Sequence, residues 1–575
     1  MKVDRGLLVW AILTYALIAL LLLYFRFFPV IVNPVVTNAL ILSALLFFVV
    51  SIVASVLMVR TRADLLLVLP VIALSTFLVR AIPNLRLALP PLHDPYYHFI
   101  CTENILKYGN LESQVNGWYE YAPLQLHWPD MHLLTVDLNL VAGVDLMDLY
   151  RFQEPLIGVA FMLGVFILAR AVTKSDRIAL MAAIIASFSD VVIFYQAEYH
   201  PQGLALVFFT LILFAFLRSR DRATIPFAAV FMILVGSMTL SHHFSSLLMC
   251  ILAVGAIAVS LIVARMGWFE YTRANFLRDQ NTWLLLGVLT LSYHVFVYIA
   301  PLKEFISLLL PGISAVASVV AFDLSAPSSY PVALSLLKAL KYVAIALAFG
   351  FLLFLVARKK MDINKVWLVI VLVPLLAFGA LASLIPSAPS DRVLAFAMPL
   401  IGVFAGILVI SFFNEREAGS WRQTGFAATV VVLLVVSFPV LGGIMNSTSA
   451  PAYFLQEDDP NKNYWYDNNL PDMVNYRYSS LWTNMTTSPD SVIGVEFDTK
   501  TIMLYFAGVS TQKLHHPPET TDDYYFINPA DRPYVLNNVT QFVHAQHVYS
   551  SDSITVIKMN LTQSSHDLVY TKERW

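Results

Sequence analysis

His93-Asp94-Pro95-Tyr96-Tyr97-His98 follows a hydrophobic segment and opens the first long polar loop of the chain. A carboxylate, two imidazoles and two phenols crowd into six residues beside apolar sequence. Ionisable groups at the mouth of a membrane bundle are expensive and tend to mark function. The plain structural alternative is a loop start, because Asp-Pro opens turns. Which reading holds depends on what the rest of the chain brings to the same face.

The chain around this stretch is strongly apolar. It has 575 residues, of which 58% are hydrophobic and 13% charged, and a mean hydropathy of +0.70. Soluble domains carry roughly 25% charge, so the composition reads as a polytopic membrane protein. The formal net charge of −2 offers no basic excess for nucleic acid. Cys101 and Cys250 are the two cysteines, one in the loop and one in an apolar segment, and no disulfide is expected. Met1-Lys2-Val3-Asp4-Arg5 precedes a long apolar run without a small-residue cleavage site, which reads as a retained anchor.

A spanning helix needs about 20 apolar residues. Windows of that kind fall near 6–25, 36–59, 65–79, 154–172, 178–194, 202–217, 224–241, 244–264, 281–300, 337–357, 366–385, 393–413 and 424–444. This predicts about 13 transmembrane helices, the third being the shortest. With a cytoplasmic N-terminus, Lys2/Arg5, Arg60/Arg62, Lys174/Arg177, Arg218/Arg220/Arg222, Arg265/Arg273/Arg278, Arg358/Lys359/Lys360 and Arg416/Arg422 all fall on one side. That is the positive-inside pattern. It places the C-terminus outside and predicts a plasma-membrane protein.

The outer face then collects the chemistry-bearing residues. The loop over 81–153 holds His93, Asp94, Tyr97 and His98, with Trp118 to Tyr121, His127, Trp128, Asp130 and His132 behind them. Trp and Tyr favour the membrane interface, so part of this loop is expected to lie flat on the bilayer. Glu198-Tyr199-His200 follows the fifth span, His242-His243 the seventh, and Ser390-Asp391-Arg392 precedes the twelfth. Residues 301–336 form a second outer loop. After residue 445 the chain turns polar, with β-like runs at 491–497, 501–506 and 553–559. Residues 446–575 are therefore expected to form a small α/β extracytoplasmic domain on a membrane domain of residues 1–445. Sequons at Asn446, Asn484, Asn538 and Asn560 agree with an exterior location.

Two carboxylates and an imidazole, Asp94, Glu198 and His200, suit a divalent cation such as Mn²⁺ or Mg²⁺. Arg392 brings a guanidinium, which forks onto phosphate oxygens. Together they read as a site for a phosphate-bearing lipid. Each residue has a plainer role open to it. Asp94 suits capping a helix, Arg392 suits snorkelling to headgroups, and His242-His243 suits a satisfied interfacial pair. The case rests on several candidates sharing one face.

These residues also resemble a known family. His93-Asp94-Pro95-Tyr96-Tyr97-His98 followed by Ile105-Leu106-Lys107-Tyr108-Gly109 is similar to the first-loop motif of GT-C-fold glycosyltransferases, above all the archaeal oligosaccharyltransferase catalytic subunits. In that family an Asp of this loop binds metal and orients the acceptor. Glu198-Tyr199-His200 resembles the family's Asp-x-His metal motif with Glu in place of Asp, and Asp391-Arg392-Val393-Leu394 resembles the segment whose Arg meets the donor phosphate. Ser488-Pro489-Asp490-Ser491-Val492-Ile493 looks like the start of the family's soluble domain. The Trp-Trp-Asp-Tyr-Gly motif that reads a protein sequon is missing. Glu496-Phe497-Asp498-Thr499-Lys500 stands in its place, and Tyr464-Trp465-Tyr466-Asp467 is out of register. The second outer loop has no Ser/Thr-x-x-Glu motif; Glu304 and Asp323 are poor substitutes for it.

The resemblance implies a membrane glycosyltransferase. It would take a sugar from a polyprenyl- or dolichyl-phosphate-linked donor and pass it to a glycan, lipid or protein acceptor at the outer face. Asp94 would act as base or acceptor-orienting group, and Arg392 would hold the donor phosphate. His93, Tyr97, His98, His242 and His243 are further candidates. Two alternatives stay open: an oligosaccharyltransferase acting on protein, and a lipid or solute transporter. A transporter should place charges near the bilayer midplane and show inverted repeats. Here the charges sit at helix ends, with His294 the main deeper exception.

Overall fold

The computed structural model describes residues 6–16 in part, 52–86, 94–109, 127–221 apart from Glu198, 225–266, 271–297, 299, 302–303, 362–383, 390–417 and five strands beyond residue 492. Among the described residues the helices are α1 (Arg62–Arg86), α2 (Asp94–Tyr108), α3 (Asp130–Ala142), α4 (Leu146–Thr173), α5 (Asp176–Ser187), α6 (Asp190–Ala197), α7 (Pro201–Asp221), α8 (Ile225–Ser241), α9 (His243–Arg265), α10 (Arg273–Phe296), α11 (Ile363–Ser383) and α12 (Ser390–Glu417). Six of these contain a stretch long and apolar enough to cross a membrane, at 62–81, 146–173, 201–220, 243–265, 363–382 and 391–411. The chain is an integral membrane protein. The expected spans at 337–357 and 424–444 lie outside the described residues.

Three expected elements differ in extent. The short third span is a 25-residue helix that runs on to Arg86, past the polar residues Arg80 and Asn84. The expected span at 178–194 is two helices, α5 and α6, separated by Phe188 and Ser189. The Ser189 carbonyl accepts the Val192 and Ile193 amides and so restarts the chain as α6. Helix α10 begins at Arg273, eight residues before the apolar window, because Thr272 caps it by accepting the Asn275 amide.

Helix α12 packs backbone to backbone on α5. A Cβ at Gly402 would fall 2.6 Å from the Ala182 carbonyl oxygen, and one at Gly406 2.9 Å from that of Ile178. Small residues four apart allow this approach in membrane helices. The contact fixes α12 along its length and brings its first turn, with Arg392, beside Tyr195 of α6.

The two ends of the bundle carry different chemistry. At one end the cationic helix termini meet: Arg177 donates to the Val59 carbonyl, and Arg220 lies 3.6 Å from the buried carboxylate of Asp279. At the other end the N-termini of α2, α3, α7, α9 and α12 carry Asp94, Asp130, Pro201, His243 and Ser390 as first residues. Contacts among His98, His132, His200 and His242 draw the first four of these termini together.

Beyond residue 492 the strands are β1 (Ile493–Gly494), β2 (Leu514–His515), β3 (Tyr524–Ile527), β4 (Ala545–Ser550) and β5 (Thr555–Met559), in the order β2-β1-β3-β5-β4. β1 pairs parallel with β2 and β3, whereas β5 pairs antiparallel with β3 and β4. Two of the three β-like runs read from the sequence contain strands, β1 and β5. The run at 501–506 lies outside the described residues.

Candidate functional site

Helix α2 starts at Asp94, as its Asp-Pro opening suggests. Positions 94, 98 and 102 are one turn apart and share a face of the helix. His98 Nδ1 lies 3.1 Å from His132 Nε2, which joins α2 to α3. Thr102 Oγ1 lies 3.0 Å from the Tyr199 hydroxyl, and Thr135 Oγ1 lies 2.5 Å from it on the α3 side. Thr135 also donates to Gln153 Oε1 of α4 at 2.9 Å. Tyr199 is fully buried. The middle residue of Glu198-Tyr199-His200 is therefore a structural knot between α2 and α3.

The preceding residues are held just as firmly. Arg80 is completely buried and donates to Gln196 Oε1 at 2.8 and 3.1 Å and to the Ser187 carbonyl at 2.7 Å. Asn84 donates to the Ala197 carbonyl at 3.1 Å. On the far side, a Cβ at Gly203 would come within 2.0 Å of Glu154 Oε2, so only glycine lets α7 pass that buried carboxylate. Arg80, Asn84, Glu154 and Tyr199 were missed as parts of the site in the sequence. Arg80 directly follows the apolar window 65–79 and Glu154 opens the window 154–172, and a place at a window's edge does not show that a side chain is buried.

His200 occupies the N-cap of α7, with Pro201 at the first helical position. Its Nδ1 accepts the Gln202 amide at 3.1 Å. His242 is the N-cap of α9; its Nδ1 accepts the Ser245 amide at 3.4 Å and lies 2.9 Å from Ser245 Oγ. The two rings are 5.5 Å apart, and His200 is 5.9 Å from His98. His243 stacks 4.6 Å from His242 and meets Trp128 at 5.3 Å. The expected deep residue, His294, is fully buried. It pairs with Ser246 Oγ at 2.6 Å and packs 5.8 Å from Trp128.

Arg392 lies in the first turn of α12. Its guanidinium sits 5.9 Å from the ring centres of both Tyr195 and Phe244. Among the described residues no protein oxygen accepts its N–H groups. Tyr195 also touches His200, at 5.6 Å. The guanidinium is thus bracketed by a neighbour of His200 and by the residue after His243.

The electrostatics favour neutral imidazoles here. Burial, then the charges of His243, Arg392, His200 and His98, hold His242 well below the usual histidine range. Burial takes His132 down to about 4. Burial also pushes Asp130 up to about 6, against a hydrogen bond from Ser241.

The expected cation site can be tested only in part. Glu198 and His93 lie outside the described residues, as do the side chains of Asp94 and Tyr97. Among the described residues no group of three His, Cys, Asp or Glu side chains is arranged to hold a metal ion. Of the expected ligands His200 alone is described, and its Nδ1 already accepts an amide. A neutral imidazole that accepts at Nδ1 carries its proton on Nε2.

No protein-family model matches the chain. No curated protein matches it either. Among solved structures it is similar to the crystal structure of ArnT from Cupriavidus metallidurans bound to undecaprenyl phosphate, at 11% identity with a TM-score of 0.46, over 86% of this chain and 98% of that one. The apo crystal structure of the same ArnT gives 10% identity and a TM-score of 0.45, over 86% and 97%.

Proposed function

We propose that the chain is a membrane glycosyltransferase that takes its sugar from a polyprenyl-phosphate-type lipid at the outer membrane face. One observation carries this reading. Arg392 stands beside His200, His242 and His243 with its N–H groups unmatched by any described protein acceptor, at the end of the bundle where the helix N-termini gather. Helix N-termini and guanidinium forks both favour phosphate oxygens. The resemblance of Asp391-Arg392-Val393-Leu394 to the donor-phosphate segment of GT-C enzymes points the same way.

In this mechanism an acceptor hydroxyl or amide attacks the anomeric carbon of the donor sugar. The bond from that carbon to the phosphate oxygen breaks, and its electron pair stays on the phosphate. Arg392 stabilises the charge that develops there. Asp94, at the first turn of α2, takes the acceptor's proton. The missing Trp-Trp-Asp-Tyr-Gly motif favours an acceptor other than a protein sequon.

Mass spectrometry of cell-envelope glycans after deletion of the chain tests the reading. A glycan should lose a sugar, regain it with the parent chain, and stay truncated with Asp94→Ala or Arg392→Ala. Unchanged glycans in the deletion strain would remove the enzyme, and full rescue by Asp94→Ala would remove the catalytic role. Transfer of a lipid-linked glycan to an Asn-x-Thr peptide by the purified protein would favour the oligosaccharyltransferase.

A further inference from the structure

We propose that α4 and the turn joining α6 to α7 enclose a buried water site with Glu154 at its centre. The bound water ties that carboxyl to the turn carrying Glu198, Tyr199 and His200. This holds whether or not the chain transfers sugars.

Glu154 and Gln202 are completely buried, and so are Gln196 and the Arg80 that grips it. Among the described residues, neither oxygen of Glu154 and neither end of the Gln202 amide meets a hydrogen-bond partner. The Gln196 amide nitrogen meets none either. A buried polar group left unmatched carries the full penalty of leaving water, and native interiors hold few such groups. Five such atoms on three residues around one turn call for a common partner. The Glu154 carboxyl needs one whatever its charge. Ionised, it only accepts; protonated, it brings an O–H as well.

The backbone brings these atoms to one place. A Cβ at Gly203 would come 2.0 Å from Glu154 Oε2 and 2.6 Å from the Tyr195 carbonyl oxygen, so the two oxygens stand side by side at the first turn of α7. Gln202 precedes Gly203, and Gln196 follows Tyr195. Arg80 lies against Gly158, one turn along α4 from Glu154, where a Cβ would come 2.3 Å from its Nε. Its hydrogen bonds go to Gln196, Thr76 and Ser187, and none reaches Glu154. A cation does not suit this set. It would use only the oxygens, leave both amide N–H groups unmatched and meet the Arg80 charge. Water both donates and accepts, and an internal water makes about three hydrogen bonds to groups of this kind. The site thus holds the α7 end of the turn, while Arg80 and Asn84 of α1 hold its α6 end.

Two measurements on the full-length protein in nanodiscs test the site. A density map fine enough to show ordered water should hold a peak within about 3.2 Å of a Glu154 oxygen and of a second group, the Tyr195 carbonyl or the Gln202 amide. A well-defined Glu154 with no peak beside it, or bonded directly to a protein donor, overturns the site. A peak with several oxygens at about 2.3–2.6 Å overturns it in favour of a cation. The map uses the parent and so decides even where a variant fails to fold. The second measurement is thermal unfolding of Gln202→Met, which keeps the length of the side chain and removes both polar ends. With water bound, the variant loses hydrogen bonds and should unfold a few degrees below the parent. In a dry seam it removes only an unmatched amide, so unfolding at or above the parent temperature overturns the site. Glu154→Gln keeps partners for the water and should unfold closer to the parent than Glu154→Met. Equal losses overturn the role of Glu154. Exchange of sodium for choline should leave the parent unchanged, and a shift overturns water in favour of the cation.

Discussion

The Gln202 amide donates to His200 Nδ1 at 3.1 Å, and this bond makes His200 the cap of the helix that begins at Pro201. The cap and the site share one side chain. His200→Ala should therefore cost stability as well as function, about 1 kcal/mol for the lost cap. His200→Asn should unfold close to the parent. Thermal unfolding in detergent separates the two, and an Ala variant as stable as the parent would mean that the cap contributes nothing.

Arg392 is expected to act mainly on donor binding, because a fork on phosphate is made in the ground state as well as at the transition state. Arg392→Ala should weaken binding of a polyprenyl phosphate by about ten- to a hundredfold, the equivalent of a charged hydrogen-bond pair. Arg392→Lys should recover only part, since an ammonium lacks the planar fork. Calorimetric titration with the lipid phosphate reads this directly. Full recovery by lysine would reduce Arg392 to a point charge.

Tyr199 joins α2 to α3 through Thr102 and Thr135. Removing its hydroxyl should loosen the neighbouring residues 198 and 200 without touching substrate. Tyr199→Phe should lower kcat while leaving donor binding nearly unchanged, because misplacement by about 1 Å can cost ~100-fold in rate. Thr102→Val should do the same, and the double variant should be no worse than either alone. Additive losses would show that the two residues act separately.

Asp130 gives a pH signature. Burial raises its carboxyl to about 6 from 3.8, so the folded state holds the proton more tightly than the unfolded chain. The stability this supplies is complete below 3.8 and is lost as pH rises through about 6. Asp130→Asn should flatten that part of the profile. A variant whose unfolding follows the parent's pH dependence would assign the change to another group.

The charge pattern of the loops predicts an exterior C-terminal region. A cysteine introduced between residues 446 and 575 should react with a membrane-impermeant reagent on intact cells. Reaction only after lysis would reverse the orientation and move the Arg392 site to the cytoplasmic face.

The sequence alone determined the helical membrane bundle and most helix positions, because burial in lipid demands long apolar runs that can be read residue by residue. It also singled out His200, His242, His243 and Arg392, since polar residues at the ends of such runs stand out against their surroundings. Tertiary structure decided what those residues do. Which ring nitrogen of His200 is protonated depends on an amide two residues later lying 3.1 Å away, a fact of backbone geometry with no signature in composition. The approach of Arg392 to Tyr195 depends on Gly402 and Gly406 letting α12 close onto α5. Arg80 and Glu154 were legible as charges at the edges of apolar windows. Their burial was not, because it follows from hydrogen bonds and close approaches to residues about 50 to 120 positions away. Periodicity reports what one helix presents; only the packed bundle decides which partners meet it.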